Sequence, residues 1–158
     1  MSKKEIYVML LDIRSVYNVG AIFRTADALG IDKIFLAGIT PTPLDRFGRE
    51  RKDLAKSALG AEKSVPWGQV ENAGSLIRKM KKEGVEVIAI EQSENSVDYK
   101  KIKIKNPTMF IVGNEVEGIP AKILKECDEV AEIPMKGKKE SLNVAVSFAV
   151  ALFRILNV

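Results

Sequence analysis

Short β-branched and apolar runs alternate with stretches of helical periodicity along the 158 residues, and few folds accept that alternation. Residues 5–12 (EIYVMLLD) are apolar at both alternating positions, as a strand buried on both faces would be. Similar runs stand at 33–37, 85–90, 108–112 and 129–133. In 18–29, Val19, Ile22, Phe23, Ala26 and Leu29 share one helical face, with Gly30 at the C′ position. A second helical pattern covers 70–83, with Val70, Ala73, Leu76, Ile77 and Met80 at helical spacing and Gly84 after it. A short helix is expected from Pro120 to Glu126 and a last one over 142–156. Strands interleaved with helices predict one α/β domain over 1–158, a mostly parallel sheet with helices on both faces. At about 150 residues per domain, the length agrees.

Composition narrows the chemistry. The chain has no histidine, which removes imidazole bases, histidine-activated nucleophiles and histidine-ligated metals. Its single cysteine, Cys127, allows no internal disulfide and no cysteine-cluster metal site, and fits a reducing, cytoplasmic setting. No apolar run is long enough to span a bilayer, so no membrane partner is expected. The net charge of +4 is compatible with a polyanion but does not select one.

Ligands of open parallel sheets bind beyond the carboxyl ends of the strands. Three of these ends carry polar, glycine-bearing or lysine-rich loops: Ile90 to Ser93, Gly113 to Pro120, and Pro134 to Asn143. Glycines let a backbone approach a ligand closely. Ser141 is placed to cap the last helix, where Lys136, Lys138 and Lys139 would favour an anion. The dinucleotide fingerprint is missing, and Ile119-Pro120 replace the lysine and hydroxyl of a P-loop. The pair Glu115 and Glu117 reads as solvated loop acids, so no metal is expected.

Other features stay open at this level. Residues 40–57 are polar and basic, either a functional loop or a solvated lead into a short helix. In the last helix Asn143, Ser147 and Arg154 fall at about 0°, 40° and 20° on a helical wheel, one thin polar stripe. That helix must be covered on most sides, as a central core helix or by a partner subunit. Arg24 lies about 160° from the apolar centre of its helix, where Asp27 can pair with it at i+3. Pattern alone makes it a surface arginine.

Three segments together carry a resemblance. Residues 18–30 (NVGAIFRTADALG), 111–120 (IVGNEVEGIP) and 133–153 (IPMKGKKESLNVAVSFAVALF) resemble, in order, the three motifs of the SpoU (TrmH-like) RNA ribose methyltransferases of the SPOUT superfamily. The resemblance implies methyl transfer from S-adenosylmethionine to a ribose 2′-oxygen of RNA, a C-terminal deep trefoil knot and a homodimer. It assigns catalytic roles to Asn18, Arg24, Glu115, Ser141 and Asn143, with Glu115 positioning Arg24 or a loop. It assigns donor binding to the backbones of Ile90, Gly113, Ile133 and Leu142. In the family the counterpart of Arg24 is proposed to assist deprotonation. Because a guanidinium stays protonated, Arg24 is expected also to position the hydroxyl and clamp a phosphate, presented across the dimer.

No separate RNA-binding domain is expected, so RNA contact falls on Arg46, Arg49, Arg51, Lys136, Lys138 and Lys139, with tRNA favoured over rRNA. A rival from another class is a non-catalytic RNA-binding module that keeps the knotted fold. The five polar motif residues standing together weigh against it. A third reading, a nucleotide phosphotransferase built on the GNEVEG loop, lacks the lysine it would need.

Overall fold

The computed structural model describes residues 3–158. In chain order the elements are β1 (Ile6–Leu11), α1 (Val16–Leu29), β2 (Lys33–Ala37), α2 (Lys52–Ala58), α3 (Ala61–Ser64), β3 (Trp67–Val70) and α4 (Ala73–Lys82). Then follow β4 (Glu86–Ile90), β5 (Val97–Asp98), a 3₁₀ turn (Tyr99–Lys101), β6 (Thr108–Val112), α5 (Ala121–Leu124), β7 (Glu129–Glu132) and α6 (Val144–Leu156). Among the described residues the strands form one seven-stranded sheet in the order β3-β2-β1-β6-β4-β7-β5, and every pairing of these strands is parallel.

The alternation of side chains along a strand sorts the core into two halves. Ile6, Val8 and Leu10 of β1 join Phe110 and Val112 of β6 beneath α1, α2, α3 and α6. Met9 and Leu11, with Met109 and Ile111, pack against α4 and α5 through Ile77, Met80 and Ile123. Both faces are therefore covered, which is why the β1 run is apolar at every position.

Local chemistry sets the helix ends and corrects some expected boundaries. Ser15 caps α1, its hydroxyl accepting from Asn18 N–H at 3.2 Å, so the helix starts before 18. Gly30, at φ 68°, closes it as expected. Val70 does not open the second helix. It ends β3, paired with Ala37 of β2, and Asn72 caps α4 by accepting from Ser75 N–H at 2.9 Å. The edge strands β3 and β5 escape a periodicity reading because one is four residues long and contains Gly68, and the other is two residues long.

The cap of the last helix is also corrected. Asn143, not Ser141, accepts from Ala145 N–H at 2.8 Å and Val146 N–H at 3.2 Å, so α6 starts at Val144. A side-chain oxygen caps best directly before the first turn, and Ser141 is two residues too early. Nor is α6 a central core helix. Phe148, Ala151, Leu152 and Ile155 are buried, whereas Val146, Val150 and Phe153 are 48%, 39% and 36% exposed. No helix among the described residues is long and apolar enough to cross a membrane.

Candidate active site

Because all seven strands run the same way, their carboxyl ends share one edge of the sheet. On that edge, beyond β4, β6 and β7, lies a cleft of about 310 Å³. Ile90, Val112, Ile119, Ile133, Leu142 and Val144 supply its apolar walls. Its remaining lining comes from the loop Gly113–Gly118 and from Glu91, Gln92, Leu124, Met135, Ser141 and Ser147. Thus all four residues expected to present their backbones to a donor, Ile90, Gly113, Ile133 and Leu142, line one cleft.

The loop after β6 is held in a closed turn. Gly118 N–H donates to Asn114 C=O at 3.0 Å, and Asn114 Oδ1 accepts from Val116 and Glu117 N–H, each at 2.9 Å. Asn114 Nδ2 donates to Asp12 C=O at 2.8 Å, tying the loop to the end of β1. A Cβ on Gly113 would stand 2.8 Å from the carbonyl carbon of Gly118, so only glycine fits that approach. Gly118, at φ 69°, faces Glu91, whose Oε2 accepts from Ile119 N–H at 3.0 Å.

From this loop a polar relay crosses to two helices. Glu115 Oε2 accepts from Arg14 N–H and Oε1 from Ser15 N–H, both at 3.0 Å, at the amino end of α1. Glu115 Oε1 also accepts from Asn18 Nδ2 at 3.2 Å, and Asn18 Oδ1 accepts from Asn143 Nδ2 at 3.2 Å. Asn143 caps α6 with its other side-chain atom. Asn18 is only 5% exposed. Partial burial acts to raise the Glu115 pKa, but the N–H donors of Arg14, Ser15 and Glu115 itself and the Asn18 amide outweigh it. The carboxyl group is held below its ordinary range, charged at neutral pH.

Three residues from three distant motifs are thereby joined: Asn18, Glu115 and Asn143. Arg24 is not joined to them. It is exposed on α1 and does not line the cleft, so Glu115 positions the α1 amino end and not Arg24 within the chain. No ion pair joins Asp27 to Arg24 among the described residues, and Asp27 Oδ1 instead accepts from Ser64 Oγ at 2.8 Å. Ser141 is exposed at the cleft wall, and Lys136, Lys138 and Lys139 are exposed in the loop leading to it.

The matched span decides the family. The model of the SpoU rRNA Methylase family matches residues 5–153.

The chain belongs to the SpoU rRNA methylase family. Among curated proteins it is 30% identical over 149 residues to the tRNA (guanosine(18)-2′-O)-methyltransferase of Escherichia coli strain K12, covering 94% of this chain and 62% of that protein. It is also 30% identical over 152 residues to the 23S rRNA (guanosine-2′-O-)-methyltransferase RlmB of Neisseria meningitidis, covering 96% and 58%. The chain spans 62% or less of the length of these relatives. Among solved structures, an AdoMet-bound rRNA methyltransferase from Sinorhizobium meliloti superposes with a TM-score of 0.88 at 32% identity, over 99% of this chain and 57% of that one.

In this member of the SpoU family two site residues escaped the sequence reading. Asn114 and Glu91 fold the GNEVEG loop, the first from inside and the second from β4. Asn114 was legible as a turn former, since asparagine readily bonds the backbone two residues on. Glu91 carried no local signal. Cys127 is no rival nucleophile, because burial pushes its thiol up to about 12.

Proposed function

We propose that this chain transfers a methyl group from S-adenosylmethionine to a ribose 2′-hydroxyl of RNA, with tRNA favoured over rRNA. The observation that carries the reading is the Glu115–Asn18–Asn143 relay beside a glycine-walled cleft on the carboxyl edge of the sheet. The residues present fit the donor. Apolar walls from Ile90, Val112, Ile133 and Leu142 suit an adenine, and glycine at 113 lets the loop backbone close tightly against Gly118 beside them. When bound, the donor's sulfonium makes its methyl group electrophilic, so its chemistry needs no imidazole.

The chain's own work is orientation. Glu115 and Asn143 hold the amino ends of α1 and α6 against the cleft, and Ser141 offers a hydroxyl at its wall. Arg24 stays protonated and donates to the ribose oxygen or the adjacent phosphate. Since Arg24 does not line its own chain's cleft, we assign it to the cleft of a second copy in a homodimer. The exposed stripe Val146, Val150 and Phe153 on α6 supports that pairing.

A C-terminal deep trefoil knot is part of the same reading. It is supported by a sheet order that inserts β6 between β1 and β4, and β7 between β4 and β5. Residues 1–158 would act as one methyltransferase domain in a cytoplasmic setting, with RNA held by Arg46, Arg49, Arg51, Lys136, Lys138 and Lys139.

The test is incubation with tritium-labelled S-adenosylmethionine and either total tRNA or total rRNA, followed by digestion to nucleosides. Label in a 2′-O-methylnucleoside, stronger from tRNA, is expected. RNA binding without transfer overturns the enzyme and leaves a binding module.

A further inference from the structure

The basic loop between β2 and α2 carries a feature that its charge does not explain. Phe47 stands at its tip 65% exposed beside two guanidinium groups, with Arg46 Cζ 4.8 Å and Arg49 Cζ 4.9 Å from the ring centroid. The tip is preformed. Asp45 Oδ1 accepts from Phe47 N–H at 2.8 Å and Arg49 N–H at 3.0 Å, and Asp45 Oδ2 accepts from Arg49 Nε at 3.0 Å. Asp45 N–H donates to Arg49 C=O at 2.8 Å, Gly48 turns the chain at φ 77°, and Leu44 bridges Glu50. Below the tip, Arg51 N–H donates to Pro43 C=O at 2.9 Å. Asp45 engages Arg49, Asp53 engages Arg51 and Lys63 engages Glu50, while no ion pair among the described residues involves Arg46.

We propose that Phe47 is a stacking platform for an unpaired RNA base, with Arg46 and Arg49 on the flanking phosphates. This rests on the RNA reading above and adds a contact to it. A flat ring flanked by cations suits a base whose neighbours are anionic, and stacking tolerates any base because each has a π-face. Asp45 fixes the backbone at Phe47 and the Arg49 side chain before binding, so little ordering of the loop is lost on contact. The position also serves the cleft. The loop leaves β2 at the same sheet edge, and β2 lies two strand spacings from β6, about 10 Å away.

The experiment measures binding of the full chain to a short RNA hairpin with an unpaired loop, and to the blunt duplex of its stem, at fixed salt. Phe47→Ala is expected to weaken hairpin binding about 5- to 150-fold, with far less effect on the duplex. Phe47→Leu, apolar but without a π-face, should lose nearly as much, whereas Phe47→Trp should retain affinity and its fluorescence should be quenched by the hairpin. Arg46→Gln should lower the slope of log affinity against log salt by about 0.7, and Phe47→Ala should leave it unchanged. Wild-type affinity in Phe47→Leu, or equal losses on hairpin and duplex, overturns the platform. So does a change of oligomeric state in Phe47→Ala with hairpin affinity intact, which would make the ring a subunit contact. These results leave methyl transfer standing. Failure of the wild-type chain to bind either RNA overturns both readings.

Discussion

Asn143 Nδ2 donates to Asn18 Oδ1 at 3.2 Å, joining residues 125 positions apart, while Asn143 Oδ1 caps α6. One amide thus does two jobs with its two ends. Asn143→Ala should lose both, costing about 1–2 kcal/mol. Asn143→Ser should recover the cap but not the reach to Asn18. A double-mutant cycle with Asn18→Ala, read from urea midpoints, should give a coupling of about 0.5–1.5 kcal/mol. Additive losses would mean that the two asparagines act separately.

Glu115 makes stability depend on acid. Its carboxyl pKa is depressed in the folded chain, so it contributes stability above its ordinary value of 4.5 that is lost as pH falls through the lower folded value. Glu115→Gln turns an amide donor toward the N–H groups of Arg14 or Ser15. The variant should be weaker by about 1–3 kcal/mol at neutral pH, and its disadvantage should shrink with acid. Urea midpoints from pH 7 to about pH 3 check this; parallel pH curves for the two proteins would contradict it.

The cleft should be sensitive to single methyl groups. Gly113→Ala sets a Cβ 2.6 Å from Ile119 Cγ1 and 2.8 Å from the Gly118 carbonyl carbon. Gly118→Ala is strained at φ 69° and presses on the Glu91 carboxylate. Each should weaken S-adenosylmethionine binding at least about tenfold, the equivalent of about 1.4 kcal/mol. Isothermal titration of folded variants measures the loss.

Arg24 tests the assignment across subunits. Arg24→Lys should keep RNA affinity and lose most turnover, because a lysine cannot reproduce the planar fork. Mixing Arg24→Ala chains with Gly113→Ala chains, at a donor concentration too low to load the weakened cleft, should restore activity to about a quarter of the sites if subunits exchange and Arg24 acts in trans. Exchanged but inactive mixtures would place Arg24 in its own cleft.

Much of the fold was present in local pattern. Residues 6–11 are apolar throughout because both faces of β1 are covered. The loops 90–93, 113–120 and 134–143 were legible as lying on one edge, whereas the choice of Ile90, Gly113, Ile133 and Leu142 came from the motif resemblance. Boundaries failed where a polar side chain outranked periodicity, as Asn72 did before α4 and Asn143 before α6. The motif resemblance selected Asn18, Glu115 and Asn143 without showing what they touch.

By itself the sequence determined the five inner strands and the long helices, the sheet edge that carries the loops, and a chemistry without histidine, because these follow from periodicity, chain direction and composition. Only the tertiary structure decided that Glu115 grips the start of α1, that Asn18 and Asn143 meet, and that Arg24 stands apart from the cleft. Hydrogen-bond partners about 100 residues distant in sequence become neighbours through strand order, and strand order leaves no local trace in the chain.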